Sequence, residues 1–221
     1  LSEEIIDRNV RFNIRTMLRL GLMDSSERNP YRDMGFSDVA PWETAEHKEL
    51  ARQVTRKSVV LLKNEGELLP LDKKEVRKIA VIGNRAESVL KDWYGALPAY
   101  SVSALEGIKA AVEDEDVEVR FQAWDSDGKA QELAAWADVA IVCVGNHPMT
   151  SPDWKWEKIQ APWGEGTVAG DGREAVDRKS LELESEDLIK MVWKANPNTI
   201  VALISSFPYT IDWTQEHVPS I

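Results

Sequence analysis

Two glutamates, Glu165 and Glu174, lie in a segment rich in Gly and Trp and have the side chain that acid and base catalysis uses. Hydrolysis of a glycosidic bond needs a carboxyl group that protonates the leaving oxygen and later deprotonates water, and a second one that attacks or activates water. Glu174 is a candidate for the first role, and Glu165 has similar surroundings. Acidic residues are common in loops, so chemistry alone favours a solvated glutamate at each position.

The residues around Glu174 and one aromatic pair complete the candidate set. Asp177 follows Glu174 by three residues and is followed in turn by Arg178, and such a pair can anchor a loop through an ion pair. Trp93 and Tyr94 either stack on a flat sugar face or pack over the edge of a sheet. The sequence by itself leaves these alternatives open.

The elements that must position these residues alternate between apolar strands and amphipathic helices. Apolar runs predict strands at 59–64, 78–83, 117–124, 138–145 and 199–206, and helical periodicity predicts helices at 103–114, 129–137 and 185–196. This order predicts an α/β fold, a three-layer α/β/α sandwich with a mostly parallel sheet. Ligands gather at the carboxyl ends of the strands in such sheets, which places any chemistry in the segments 83–100 and 145–178.

The two ends of the sequence read differently from this alternating part. Ile6, Val10, Ile14, Met17 and Leu18 share one helical face and predict a helix with a buried stripe, closed by Gly21. A polar stretch broken by proline and glycine follows, and then a second helix that runs directly into the apolar segment 59–64, which we expect to be a strand covered on both faces. At the other end a further apolar element begins just before Ile221, so we expect a sheet truncated before its last strand.

Composition excludes several classes of function. The 221 residues carry a net charge of −11 with no basic patch, which argues against a nucleic-acid partner. No apolar run is long enough to cross a bilayer. Cys143 falls in an apolar run typical of a buried hydrophobe, and it shows no metal-ligand spacing with His47, His147 or His217. The strand at 78–83 ends in a single glycine, without the further glycines of a dinucleotide site, so we expect neither metal nor cofactor.

Six segments, taken together and in order, resemble the second domain of glycoside hydrolase family 3. They are SVVLLKNEGELLPLD, KIAVIG, DWYGALPAYSVSALEGIKAA, ADVAIVCVGNHP, GREAVDRKSLEL and ANPNTIVALISSFPYTIDW. The resemblance implies part of a retaining, exo-acting β-glycosidase that hydrolyses terminal β-glucosides or, alternatively, β-xylosides. Its active site would lie between an N-terminal (β/α)8-type barrel and an α/β sandwich. Residues 1–45 would be the last helix of the barrel and a linker, and residues 46–221 the sandwich domain.

The resemblance also implies roles for individual residues. In relatives the acid/base glutamate precedes an Asp-Arg pair by three residues, which transfers to Glu174, while Glu165 stays a competitor because the Trp-rich insertion 150–171 departs from the compact form of the motif. Trp93 matches an aromatic near the aglycone subsite. The remaining candidates for substrate contact are Tyr94, Asn146, His147 and Arg173.

One catalytic group of this family lies outside the sequence. The resemblance implies that the nucleophile is an aspartate on the barrel domain, and a retaining mechanism needs both carboxyl groups about 5 Å apart. We therefore expect the 221 residues alone not to hydrolyse glycosides. A non-catalytic carbohydrate-binding or scaffold domain of the same fold is the alternative.

Overall fold

The computed structural model describes residues 2–25, 27–29, 35, 39–87, 89, 100–123, 127–145, 181–183, 185–205 and 208–221. The chain divides into two compact units, Leu1–Val59 and Val60–Ile221. The predicted assignment of residues 1–45 to a barrel and linker, and of residues 46–221 to a sandwich domain, stays a prediction.

The first unit holds two helices, α1 (Glu3–Arg19) and α2 (Ala45–Ser58), and a short 3-10 helix at Pro41–Glu43. Gly21 ends α1 as predicted, with a φ of +68° and with its N–H donating to the Leu18 carbonyl at 3.1 Å. The next N–H, that of Leu22, reaches back to Met17 at 3.0 Å. These two bonds form a Schellman cap, in which glycine adopts the left-handed conformation at least cost.

The apolar stripe of α1 is exposed, so the prediction of a buried stripe was wrong. Its members keep between 39% and 56% of their surface open to solvent; they are Ile6, Val10, Ile14, Met17 and Leu18. A stripe is buried only where other elements pack over it, and the described part of the first unit has too few elements to do so. The helical periodicity of the apolar residues therefore predicted the helix correctly but predicted the burial of its apolar face incorrectly.

The second unit is an α/β sheet structure, as the sequence predicted. Its strands are β1 (Lys78–Ile82), β2 (Glu118–Gln122), β3 (Val139–Val144) and β4 (Thr199–Leu203). Its helices are α3 (Ala104–Ala111), α4 (Lys129–Trp136), α5 (Glu186–Ala195) and α6 (Asp212–His217), with a 3-10 turn at Glu65–Glu67. The four strands pair in parallel in the order β2-β1-β3-β4.

Helices cover both faces of this sheet, which makes three layers. Alternate residues of β1 separate the two cores: Ala80 and Ile82 face α4 and α5, whereas Ile79 and Val81 face α3. β1, β3 and β4 are therefore apolar on both faces, which is why continuous apolar runs identified them in the sequence, whereas the edge strand β2 alternates polar and apolar residues. The two cores hold the strands in place, and the candidate site lies where these strands end.

The segment 59–64 is not the doubly covered strand that the sequence predicted. Val59, Val60, Leu61 and Leu62 are more than half exposed. Only the end of the segment pairs: the N–H of Leu62 donates to the Ile221 carbonyl at 2.8 Å, and Asn64 bridges Ser220 in antiparallel fashion. The apolar side chains before Leu62 are exposed because residues 219–221 pair only with this end.

At the edge of the sheet where the strands begin, the carboxylate of Asp138 joins β3 to β1. Oδ2 of Asp138 accepts hydrogen bonds from the backbone N–H groups of Arg77 and Lys78, both at 2.8 Å, and so ties the start of β3 to the start of β1. These two bonds stabilise the charged form and hold the pKa of Asp138 below its usual value of 3.8. Folding and ionisation of Asp138 are therefore linked.

We expect Asp138→Asn to reduce the free energy of unfolding in a pH-dependent way. A folded pKa below the unfolded pKa gives a contribution that is full above the unfolded value of about 4 and that is lost as the pH falls through the folded value. Urea denaturation between pH 3 and pH 7 should show the wild type and the variant converging at the acid end. Asp116→Asn, at a side chain that is 98% exposed, is the control. A constant difference across the range would contradict the linkage.

Candidate active site at the carboxyl edge of the sheet

The strand order marks one place at the carboxyl edge where a crevice is expected. The chain moves from β1 outward to β2, returns past β1 to β3, and continues to β4 on the other side. The winding therefore reverses between β1 and β3. In open α/β sheets the crevice outside the strand ends at such a switch point is where ligands bind.

Two glycines bring the strand ends together at this edge. Gly83 after β1 and Gly145 after β3 have φ angles of +106° and +123°. A Cβ on Gly83 would lie 2.3 Å from the carbonyl oxygen of Cys143, and one on Gly145 would lie 2.0 Å from that of Ile204. Both contacts are with backbone, so no other residue allows the ends of β1, β3 and β4 to approach so closely.

Arg85 spans the switch point. Its Nε donates a hydrogen bond to the carbonyl oxygen of Gly145 at 3.1 Å and so connects the turn after β1 to the end of β3. Burial lowers the pKa of the Arg85 guanidinium, while the interaction with Tyr209 acts in the opposite direction. A guanidinium stays charged in proteins, so Arg85 places a fixed cation at the switch point.

Hydrogen bonds connect the end of β3 and the residues before α5 to the chain that follows β4. At the end of β3, the N–H of Ile204 donates to the Val144 carbonyl at 2.8 Å, next to the close approach at Gly145. Before α5, the N–H of Thr210 donates to the Leu181 carbonyl at 2.7 Å. Val144 and Leu181, described residues on either side of 146–180, thus both accept hydrogen bonds from the chain that follows β4.

The site residues that the sequence predicted all lie outside the described residues. They are Trp93, Tyr94, Asn146, His147, Glu165, Arg173, Glu174, Asp177 and Arg178. Their described neighbours lie at the carboxyl edge: Gly145 directly precedes Asn146, and Leu181 follows Arg178 by three residues. Their roles stay predictions.

Arg85 is the described site residue that the sequence analysis missed. Arg85 lies in the segment 83–100, where the sequence predicted ligand contacts, but only Trp93 and Tyr94 were named as candidates there. The available signal was a basic residue two positions after the glycine that ends an apolar strand. In a parallel sheet this position lies at the edge where ligands bind.

The described part of the chain also gives findings on Cys143, on groups of metal-ligating side chains and on long apolar helices. Cys143 is fully buried, and burial raises the pKa of its thiol to about 11, in agreement with a small hydrophobe. Among the described residues no group of three His, Cys, Asp or Glu side chains could hold a metal ion. The described helices include none that is both long and apolar enough to cross a bilayer.

Comparison with known proteins gives consistent matches. A β-xylosidase of Formosa agariphila is 28% identical over an alignment that covers 92% of this chain and 27% of that protein. A β-xylosidase/α-L-arabinofuranosidase of Medicago sativa subsp. varia is 35% identical over 66% of this chain and 19% of its own length. Among solved structures, a β-glucosidase of Erythrobacter marinus superposes with a TM-score of 0.64 at 30% identity, covering 81% of this chain and 26% of that one.

The chain spans between 19% and 27% of the length of these relatives. The model of the glycosyl hydrolase family 3 C-terminal domain matches residues 59–221, which include the whole second unit. The parallel sheet with helices on both faces agrees with the matched structure. The chain therefore belongs to glycoside hydrolase family 3, and residues 59–221 are its C-terminal domain.

Proposed function

We propose that these residues supply the general acid/base of a retaining, exo-acting β-glycosidase, with Glu174 in that role. The observation that supports the proposal is that Val144 and Leu181, described residues on either side of the segment 146–180, both accept hydrogen bonds from the chain that follows β4. Glu174 lies in that segment, three residues before the Asp177-Arg178 pair. Family membership supports a glycosidase, and the reversal of winding between β1 and β3 is where open α/β sheets bind ligands.

The first half of the reaction breaks the glycosidic bond. An aspartate on the barrel domain attacks the anomeric carbon, and the carboxylic acid of Glu174 gives its proton to the glycosidic oxygen, so that the aglycone leaves as an alcohol. The sugar is then bound covalently to the aspartate, and Glu174 is a carboxylate. To be protonated at the start, Glu174 needs a raised pKa, which burial by the Trp-rich insertion 150–171 can supply when the domains close on the substrate.

The second half releases the sugar. The Glu174 carboxylate takes a proton from water, the resulting hydroxide oxygen bonds to the anomeric carbon, and the aspartate departs as a carboxylate. Two inversions give retained configuration. The same residue thus serves as acid and then as base, and the 221 residues without the barrel should be inactive because they lack the nucleophile.

The other predicted residues belong to the aglycone side of the proposed site. Trp93 and Tyr94 provide aromatic faces for a sugar or aryl group, and Asn146 and His147 directly follow the glycine held by Arg85. Arg173 precedes the acid/base and is a further candidate for substrate contact. Asp177 and Arg178 are proposed to anchor the loop.

The substrate class is a terminal β-glucoside or β-xyloside. The sequence resemblance favours a β-glucoside over a β-xyloside as substrate. The two relatives compared above carry β-xylosidase names, one of them also α-L-arabinofuranosidase, whereas the matched structure is a β-glucosidase. The pocket for the non-reducing sugar is expected mainly on the barrel domain. Both sugars therefore belong in the same experiment.

The test is hydrolysis of p-nitrophenyl β-glucoside and β-xyloside by the full-length protein, wild type beside Glu174→Ala, with and without azide. We expect the variant to lose activity and azide to restore part of it, with a β-glycosyl azide as product, because azide needs no general base to attack. The better wild-type substrate names the sugar. An unaffected variant would move the role to Glu165, and an inactive wild type would favour the non-catalytic carbohydrate-binding domain.

A further inference from the structure

The chain between β2 and α4 contains an aspartate that is directly followed by a glycine, Asp127 and Gly128. The Asp127 side chain is 70% exposed, and its Oδ2 lies 3.7 Å from Nζ of Lys129, which is itself exposed. An ion pair between two exposed side chains holds a carboxylate only weakly. This contact therefore leaves the Asp127 carboxyl group free to turn towards the main chain.

Gly128 presents a peptide nitrogen that no side chain shields. It is the N-cap of α4, with a φ of +79° and a ψ of 2°, and its carbonyl accepts a hydrogen bond from the Glu132 N–H at 3.0 Å. Apart from its two chain neighbours, no atom lies within 4 Å of the position that a Cβ would take. A side chain at this position would hinder the approach of the preceding carboxyl group to the nitrogen, and glycine has none.

We propose that Asp127 and Gly128 form a site of spontaneous isomerisation, at which aspartate converts into isoaspartate in the folded protein. The Gly128 nitrogen bonds to the side-chain carboxyl carbon of Asp127. The hydroxyl group of that carboxyl leaves as water with the proton of the nitrogen, and a five-membered succinimide ring forms. Water then opens the ring at either carbonyl, so that the chain runs through the original main chain or through the former side chain. The mass is unchanged, and water is the only co-reactant.

Two other aspartates show why exposure alone does not make such a site. Asp116 is 98% exposed, but the β-branched Val117 follows it and crowds the peptide nitrogen. Asp138 is also followed by a valine, and its Oδ2 is held by two backbone N–H groups at 2.8 Å. Only at Asp127, among these three, does an exposed carboxylate precede a residue without a side chain.

The modification would act on the packing of α4. Isomerisation adds one carbon to the main chain directly before the N-cap of this helix. Ala130 and Ala134 are fully buried in the core on one face of the sheet, and the Ala134 carbonyl accepts from Nδ2 of Asn196 at 3.0 Å. A close-packed helix cannot shift without losing such contacts. We therefore expect the modified protein to have a lower free energy of unfolding.

The experiment incubates the full-length protein for several weeks at neutral pH and locates isoaspartate in its tryptic peptides by electron-transfer fragmentation, which separates isomers of equal mass. We expect at least about tenfold more isoaspartate at position 127 than at position 116. Asp127→Glu should abolish the signal at position 127, because its longer side chain would have to close a six-membered ring, which forms far more slowly. Equal levels at the two positions, or none at position 127, would overturn the inference.

A second variant tests whether the fold itself leaves the site open. Asp127→Asn forms the same ring faster by releasing ammonia, and its product is identified by the change in mass that follows when water opens the ring. We expect the rate in the folded protein to stay within about tenfold of the rate in urea, because no local unfolding is needed to reach the ring geometry. A larger suppression by folding would show that the structure keeps the side chain away from the Gly128 nitrogen, and the inference would then be wrong.

Discussion

Replacing Glu174 by Gln in the full-length protein is expected to lower kcat/KM for a methyl β-glycoside by roughly 10²- to 10⁴-fold. Methoxide is a poor leaving group, so its departure depends on the proton that the carboxylic acid gives and that the amide cannot. For the 2,4-dinitrophenyl glycoside the expected loss in kcat/KM is less than about 10-fold, because this value reports the first bond cleavage and needs no acid.

The kcat of the activated substrate should behave differently from its kcat/KM. Once 2,4-dinitrophenolate has left, the covalent sugar-enzyme intermediate persists until water attacks it, and the amide of the Glu174→Gln variant cannot act as a base. Both kcat and KM should therefore fall together as the intermediate accumulates. Added azide should raise kcat again and leave kcat/KM unchanged.

Glu165→Gln is the matched control, since it makes the same change at the competing glutamate of the same segment. It should leave the leaving-group dependence as in the wild type. The reverse result, with the split at Glu165 and none at Glu174, would transfer the acid/base role to Glu165. Equal slowing of both substrates by Glu174→Gln would mean that this residue supports the structure of the site and not its chemistry.

The sheet could be predicted from the sequence because its strands satisfy a local rule. Residues on both faces of β1 and β3 are buried, so each strand reads as an uninterrupted apolar run. The helices between them were readable for a similar reason, since each buries one face. Whether a segment forms a strand or a helix depends largely on the pattern of apolar residues within that segment, and this pattern can be read from the sequence alone.

Burial and long-range contacts were less predictable, because they depend on what packs from elsewhere. The stripe of α1 and the segment 59–64 have the pattern of buried elements, yet both are exposed. The bond from Arg85 to Gly145 joins residues 60 positions apart, and no local pattern indicates it. The motif around Glu174 was found only through family resemblance, since a loop glutamate has no distinctive periodicity.

Gly145→Ala is expected to lower the free energy of unfolding by about 3 kcal/mol or more. Two costs combine at this position. The φ of +123° is strained for a residue with a side chain, and the new Cβ would lie 2.0 Å from the Ile204 oxygen and 2.7 Å from its carbonyl carbon. Backbone in a paired strand end cannot move away as a flexible side chain can, so the ends of β3 and β4 would have to separate.

Urea denaturation can compare Gly145→Ala with alanine variants of two glycines that have no close backbone contact, Gly66 and Gly107. Gly66 has a φ of +66° and no atom within 4 Å of the position that a Cβ would take, so Gly66→Ala carries only the conformational cost, about 1 kcal/mol. Gly107, inside α3, has one side-chain carbon at 4.0 Å, and Gly107→Ala should stabilise the protein by about 0.5 to 1 kcal/mol. Equal losses at Gly66 and Gly145 would show that the strand ends separate at no cost. A much larger loss at Gly145 would show that its φ of +123° and the close approach of β3 and β4 together exclude a side chain there.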